Sequence, residues 1–323
     1  MTAFIPWFQT RIPDSHSALR SIIPSLLHSI SEIAVSLRTA RHVSLVGTAN
    51  AFGDDQLNVD VTAENIIRAC LATCPSVVAA SSEEDPVERP VHASSADSSQ
   101  QYAVAFDPLD GSSIIAPNWS VGTIIGIWQG ASALLQVPSR KQIASILGVY
   151  GPRTTAIVAV RIPGTETLCF EIGLSDGGVK DYHVVRESLR LSSPPFSIRY
   201  FAPANLRAAA DDQRYLELVT HFIQEKYTLR YSGGLVPDVV HTLVKGQGVY
   251  LSPVTRQSKA KLRKLFELFP VALVIEAAGG KAIDPLDGSD ILSRGAGQCD
   301  ERGGLVCGNV EDVELAVEKL SVH

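Results

Sequence analysis

Apolar residues recur at helical spacing through residues 15–38, where Leu19, Ile22, Leu26, Ile30, Ile33 and Leu37 share one face and predict an amphipathic helix. Pro24 lies within that stretch and, lacking an N–H, should kink the helix or mark its true start. Residues 43–60 read as a loop that ends in Gly53-Asp54-Asp55-Gln56-Leu57-Asn58-Val59-Asp60. A helix from about Ala63 follows, then the short strand Val77-Val78-Ala79-Ala80, which runs into Ser82-Glu83-Glu84-Asp85. Residues 88–101 are polar and serine-rich, the pattern of a surface loop. The apolar run Tyr102-Ala103-Val104-Ala105 predicts a strand. Further strand-like segments follow at residues 121–128, 143–150, 154–160 and 167–172.

Residues 192–200 (Ser-Ser-Pro-Pro-Phe-Ser-Ile-Arg-Tyr) mark a boundary, and beyond it helices alternate with short strands. A helix over 212–224 presents Leu216, Val219 and Ile223. Pro237 opens another helix and Gly246 closes it, in keeping with proline inside the start and glycine past the end. Residues 259–269 and 271–278 read as helical around Pro270, stopped by Gly279-Gly280, and a last helix covers about 311–320. The expected class is α/β, with an α+β domain at 1–195 and an α/β domain at 196–323.

The chain has 323 residues, 45% hydrophobic and 19% charged, so it can fill one large core or two packed ones. Its formal net charge of -6 argues against a nucleic acid or an anionic membrane as partner. Charged residues interrupt every apolar stretch before spanning length, and the N-terminus is neither signal-like nor transit-like. A cytoplasmic location is expected, with a plastid one open if a transit segment has been lost. Five cysteines, an odd number, suit a reducing compartment. Cys70 and Cys74 read as small core residues rather than a redox pair.

The candidate chemistry centres on Phe106-Asp107-Pro108-Leu109-Asp110-Gly111-Ser112-Ser113. A strand there delivers two carboxylates into a tight turn with small residues behind them. Hard divalent cations take carboxylate and carbonyl oxygens, and successive backbone N–H groups in a turn cradle an anion. A metal site beside a phosphate site is the minimum for metal-assisted ester hydrolysis. Asp284 to Ser289 repeats Asp107 to Ser112 letter for letter but lacks the preceding strand, and reads as a surface turn. Asp54 with Asp60, Glu83 with Glu84, and Glu267 are acidic groups of the type that could join the first copy.

The order and identity of these segments resemble the fructose-1,6-bisphosphatase superfamily. The resemblance rests on Gly53-Asp54 with Asp60, Ser82-Glu83-Glu84, the Phe106–Ser113 motif, Val121-Gly-Thr-Ile124, Tyr150-Gly-Pro152, Arg230-Tyr231, Lys261-Leu-Arg263 and Glu276-Ala-Ala-Gly-Gly280. Ala204-Asn205-Leu206-Arg207-Ala208, residues 226–231, Gly233-Gly234-Leu-Val-Pro237-Asp238 and residues 150–155 are more similar to its sedoheptulose-1,7-bisphosphatase branch. The resemblance implies a layered α-β-α-β-α sandwich and two or three Mg²⁺ ions, with Mn²⁺ an alternative. It implies metal ligation by Glu83, Glu84, Asp107, the Leu109 carbonyl, Asp110 and Glu267, with Asp54 completing a third position. Glu84, held by Asp60, would polarise the attacking water.

The same resemblance places the 1-phosphate and sugar against Asp110, Gly111, Ser112 and Ser113. The far phosphate falls to Asn205, Arg230, Tyr231 and Lys261, and the sugar to the Leu235 backbone. Arg230 is expected to reach in from a neighbouring subunit of a homodimer or homotetramer. The expected reaction is hydrolysis of the 1-phosphate of sedoheptulose 1,7-bisphosphate. Fructose 1,6-bisphosphate as main substrate, a catalytically silent sugar-phosphate sensor, and an inositol-phosphate or nucleotide phosphatase are the alternatives. Four departures from the family pattern stand out: Ala116 in place of an aspartate, no cysteine between Val43 and Phe52, no Gly-Thr-Gly-Glu motif near the N-terminus, and Ser252 where fructose bisphosphatases tend to have tyrosine. They put in doubt, in turn, full turnover rate, thiol control and AMP inhibition, and they alter the far-phosphate pocket.

Overall fold

Side-chain alternation along one strand separates two cores. In Tyr102–Asp110, residues Tyr102, Val104 and Phe106 enter one apolar cluster, whereas Ala103 and Ala105 enter another. A computed structural model of the protein describes residues 2–49, 55–92, 100–255 and 258–320. Among these, Tyr102–Asp110 lies in a nine-stranded sheet. The order runs from the edge strand Thr2–Ala3 through His183–Arg186, Leu168–Gly173, Thr154–Val160, Gln142–Tyr150, Val121–Gln129 and Tyr102–Asp110 to Val77–Ser82 and Arg89–Pro90. Its pairings are antiparallel except that Val77–Ser82 runs parallel to Tyr102–Asp110. A second sheet of five strands orders Thr228–Leu229, Tyr200–Pro203, Val249–Ser252, Leu305–Gly308 and Lys281–Ile283.

Helices fill the spaces in three layers. Leu19–Thr39 and Asn58–Leu71 cover the outer face of the large sheet through Ile22, Leu26, Ile30 and Ile67. Leu235–Lys245 and Phe269–Ala277 lie between the two sheets, and eight of the nine residues of the latter are buried. That burial explains why its sequence, Phe-Pro-Val-Ala-Leu-Val-Ile-Glu-Ala, is apolar on all sides. Gln213–Gln224 and Val310–Leu320 close the far face of the small sheet around Phe222, Val313 and Ala316. The result is the α-β-α-β-α sandwich expected from the sequence.

Several boundaries differ from expectation, each for a physical reason. The first long helix begins at Leu19, after a 3-10 turn at Asp14–His16, and Pro24 is its sixth residue rather than its start. The next helix begins at Asn58, five residues earlier than expected, because Asp60 accepts the Leu57 N–H at 3.1 Å and closes its first turn. The stretch read as a loop contains the antiparallel strands Leu45–Ala49 and Asp55–Leu57. Residues 259–261 are not helical. Leu262–Arg263 instead pairs with Arg302–Gly303, and the helix begins only at Lys264, with one wide turn over Lys264–Leu268. Pro270 does not split it: it is the second residue of Phe269–Ala277, directly after the wide turn. The repeat at 284–289 is an exposed turn in which Leu286 is 76% accessible.

The middle helices approach the large sheet closely because the facing positions are small. A Cβ on Gly122 would sit 2.4 Å from Val236 Cβ and 2.9 Å from the Gly148 carbonyl oxygen. One on Gly126 would sit 3.1 Å from Pro270 Cγ. Gly122→Ala is therefore expected to destabilise the fold by about 1–3 kcal/mol, the usual cost of overpacking, with a smaller loss for Gly126→Ala. Denaturant unfolding of the two variants measures both; equal stability to the parent would contradict the close approach.

Candidate active site

Regular pleating would put residues 107 and 110 on opposite faces, because they are three apart. The strand avoids this with an irregularity between them: Asp107 pairs with Ile124, whereas Asp110 pairs with Gly122. Both carboxylates thus face the middle helices. Pro108 and Leu109 form the irregularity, and it is pinned from behind. Thr123 Oγ1 donates to the Pro108 carbonyl at 2.7 Å and lies 2.6 Å from the Tyr150 hydroxyl, while the Leu109 N–H donates to Asp107 Oδ1 at 2.9 Å.

Glu267 descends on this pair from the wide helical turn. Carboxylate oxygens of Asp107, Asp110 and Glu267 lie within 4.8 Å of one another, and all three side chains are buried. The Asp110 oxygens also accept the first N–H groups of helix Leu235–Lys245, from Leu235 at 3.2 Å and Val236 at 2.7 Å. A carboxylate at a helix N-terminus meets unpaired donors and the positive end of the helix dipole. The Leu235 amide is accordingly engaged with Asp110.

Glu83 and Glu84 follow the parallel strand Val77–Ser82, and the Glu83 N–H continues its ladder onto the Phe106 carbonyl at 3.0 Å. That register sets Glu83 beside Asp107. The turn is held by Ser82, whose Oγ donates to Glu64 at 2.8 Å and accepts from the Asp85 N–H at 3.0 Å. Arg68 pairs with the same Glu64. Glu83 meets the guanidinium of Arg263, a side chain only 2% exposed. The backbone N–H of Arg263 bonds Glu267. Arg263 was present in the sequence motif but carried no expected role. Arg263 lies on a strand and its partner Glu83 is 180 residues away, so no local spacing signalled the pair.

Burial and mutual repulsion dominate the electrostatics. Desolvation pushes Asp107 well above the usual carboxylate range, reinforced by Glu83, Asp110 and Glu267. It does the same to Glu267, with Glu83 the largest neighbouring charge. Burial raises Asp110 to about 7 against the lowering effect of the Val236 and Leu235 N–H groups. Glu84, which accepts from Gln56, rises to about 7, and Asp60 to about 6, again chiefly through burial. Asp54 lies outside the described residues.

Gly111 ends the motif at φ 104°, a left-handed conformation that favours glycine, and its missing Cβ would stand 3.0 Å from Val121 Cγ1. Ser112 and Ser113 are exposed and begin the one-turn helix Ser112–Ile115, whose first N–H groups have no partner within the helix. Ser112 Oγ lies 3.3 Å from both Asp60 Oδ1 and the Leu109 carbonyl. It therefore ties the second acidic group to the first.

The residues expected to hold a far phosphate divide into two groups. Lys261 lines a cavity of about 720 Å³ together with Arg207, Asp211, Ser258, Lys259, Ala260 and Arg302. Asn205 lies behind its wall, accepting from the lining Ser258 Oγ at 2.8 Å and donating to the Pro253 carbonyl at 2.9 Å. Tyr231 is 46% exposed and feels the charge of Arg207. Arg230 is separate. It donates to the Leu229 carbonyl, lies over the Tyr200 ring at 5.8 Å, and is not among the residues lining the Lys261 cavity.

Hard oxygen donors, all carboxylate or carbonyl, fit a divalent cation such as Mg²⁺, and a bound cation would offset the buried like charges that otherwise favour protonation. This arrangement defines a phosphoester hydrolase class of site. Comparison with known proteins agrees. Residues 1–178 match the Fructose-1-6-bisphosphatase, N-terminal domain family, and residues 195–321 match the Fructose-1-6-bisphosphatase, C-terminal domain family. The chain is 40% identical over 304 residues to the chloroplastic sedoheptulose-1,7-bisphosphatase of Chlamydomonas reinhardtii, covering 91% of this chain and 72% of that one. It is 37% identical over 305 residues to a class 1 fructose-1,6-bisphosphatase of Syntrophotalea carbinolica, covering 90% and 88%. A crystal structure from Toxoplasma gondii, provisionally described as a sedoheptulose-1,7 bisphosphatase, superposes with a TM-score of 0.86 at 34% identity, covering 99% of this chain and 98% of that one.

The chain belongs to the fructose-1,6-bisphosphatase family. It is a sugar bisphosphatase, a phosphoric monoester hydrolase, in a family whose enzymes depend on metal.

The raised carboxyl pKa values carry a stability consequence. Asp110 titrates near 7 when folded and near 4 when unfolded, so the native state binds the extra proton between those values. Stability of the cation-free protein is therefore expected to fall as pH rises through about 7, and added divalent cation should restore it. Without metal, Asp107→Asn should lessen that fall in stability, because it removes an ionisable group from the buried cluster while keeping the acceptor for the Leu109 N–H. Asp110→Asn should gain less, since an amide N–H₂ would face the helix N–H groups. Calorimetric melts with EDTA and with Mg²⁺ check all three; a flat pH dependence would count against the cluster.

Proposed function

We propose that this sugar bisphosphatase hydrolyses the 1-phosphate of sedoheptulose 1,7-bisphosphate, with Mg²⁺ as the cation, giving sedoheptulose 7-phosphate and orthophosphate. The observation that carries the reading is the buried Asp107–Asp110–Glu267 cluster, joined through Lys261-Leu262-Arg263 to a cationic cavity. Glu83, Asp107, Asp110, Glu267 and the Leu109 carbonyl would hold two or three cations, with Glu84 and Asp54 at the margin. Bound there, such cations neutralise charge on the phosphoryl oxygens and lower the pKa of an attacking water.

The remaining work falls to the chain. Water attacks phosphorus and its proton passes to the Glu84 carboxylate; the bond from phosphorus to the C1 oxygen breaks, and that oxygen takes a proton from solvent water to leave as the C1 hydroxyl, with Glu84 losing its proton to solvent afterwards. Asp60, whose charge acts on Glu84, would hold that carboxylate for the water, and its link to Ser112 joins it to the turn at Gly111–Ser113. The Gly111, Ser112 and Ser113 backbone N–H groups and the two hydroxyls hold the 1-phosphate. Asp110 orients the sugar end, and the Leu235 backbone lies beside it through their shared hydrogen bond. Asn205, Tyr231 and Lys261 belong to the far phosphate, joined by Arg230 from a neighbouring copy in a homodimer or homotetramer. We place the enzyme in the cytoplasm and divide it into domains at 1–195 and 196–323. No helix among the described residues is long and apolar enough to cross a membrane.

Fructose 1,6-bisphosphate is the second reading, favoured by the class 1 relative. One carbon of length gives modest discrimination unless a polar contact depends on it. Phosphate release with Mg²⁺ should be faster, as kcat/KM, on the seven-carbon bisphosphate than on the six-carbon one. It should be lost in EDTA and reduced about 10²–10⁴-fold by Glu84→Gln. No release from either sugar, or release untouched by Glu84→Gln and by Asp107→Asn, would refute the assignment.

A further inference from the structure

Among the described residues, three cations around the Lys261 cavity lack a hydrogen-bond or ion-pair partner. Among the described residues Arg207, Lys259 and Lys261 make no hydrogen bond or ion pair, although they line one space of about 720 Å³ with Arg302 and the carboxylate of Asp211. All three are exposed, so their donors are free to turn to a ligand, and a dianion among them offsets their like charge. The cavity is also placed correctly. Lys261 is two residues from Arg263, about 7 Å along extended chain, and Arg263 touches Glu83 and Glu267 of the acidic cluster. A ligand with one phosphate at the cluster can therefore present a second one here.

The groups expected to bind that second phosphate are less available than their identities suggest. Asn205 is engaged at both ends of its amide, with Pro253 and Ser258, and so shapes the wall of the cavity. Arg230 is directed toward Tyr200. Arg207 has what Asn205 lacks, a planar fork of donors that can take two oxygens of one phosphate at once, and unlike Arg230 it lines this cavity. It stands in the turn Leu206–Ala210, which follows Asn205 at a left-handed φ of 54°.

We propose that Arg207 is the chain's own guanidinium for the far phosphate, pairing with Lys261 so that each subunit can anchor a bisphosphate. This rests on the sugar-bisphosphatase reading and adds a residue that sets selection of bisphosphates over monophosphates. The test uses sedoheptulose 7-phosphate, which carries only the far phosphate, titrated calorimetrically into the metal-free protein. Arg207→Gln should weaken binding about 10-fold or more, and Arg207→Lys by less, because it keeps charge but loses the fork. Lys180→Gln, an exposed charge far along the chain, should bind as the parent does, and melting curves of all variants should coincide.

With Mg²⁺, Arg207→Gln should raise KM for the bisphosphate while leaving kcat within about threefold and sparing hydrolysis of a ketose 1-phosphate. Parental affinity in Arg207→Gln, or no binding of the 7-phosphate by the parent, would overturn the assignment. A parent that binds the 7-phosphate through Arg207 yet releases no phosphate would leave Arg207 in place and refute the hydrolase reading instead.

Discussion

Like charges in a dry interior repel strongly, and this fold holds three of them within 4.8 Å. The surrounding architecture opposes that repulsion. Asp107 is fixed by a strand irregularity pinned through Thr123 and Tyr150, Asp110 by the start of a helix, and Glu267 by the backbone of Arg263. Each restraint comes from a different element. The cluster therefore forms only when the large sheet, the middle helices and the Leu262–Arg263 strand are assembled together.

Packing makes that assembly possible. Ala103, Ala105, Gly122 and Gly126 leave the face of the large sheet nearly flat beneath the middle helices. The apolar helix Phe269–Ala277 then sits low enough to bring the preceding turn, with Glu267, over Asp107. Larger residues at those positions would fill the same core but raise the helix, and the acidic groups would no longer meet. Small side chains here set distances for chemistry as well as packing.

Much of this was legible in the sequence. Strands with long alternating or continuous apolar runs, such as Tyr102–Asp110 and Gln142–Tyr150, were expected close to where they occur, as were the helix closed by Gly246 and the exposed turn at 284–289. The segment 259–269 was not. Its lysines and leucines have helical propensity, but pairing with Arg302–Gly303 wins over residues 262–263. The five-residue displacement at Asn58 has a similar origin, since a side-chain bond from Asp60 starts the helix where apolar spacing alone gives no sign. Asp107, Asp110 and Glu267 were named as ligands, yet their convergence depends on a strand irregularity and a wide helical turn that leave no periodic trace. Arg263 escaped notice for the opposite reason: a basic residue in a polar stretch looks like surface until the fold buries it.

The helix that begins on Asp110 gives the molecule a mechanical link. Its 11 residues span about 16 Å. His241, on its second half, packs edge-on against Tyr200 at 4.8 Å, and Arg230 lies over the same ring. A stiff rod therefore runs from the carboxylates to the outer surface around Arg230. Any change in charge at Asp110 alters the hold on one end of that rod.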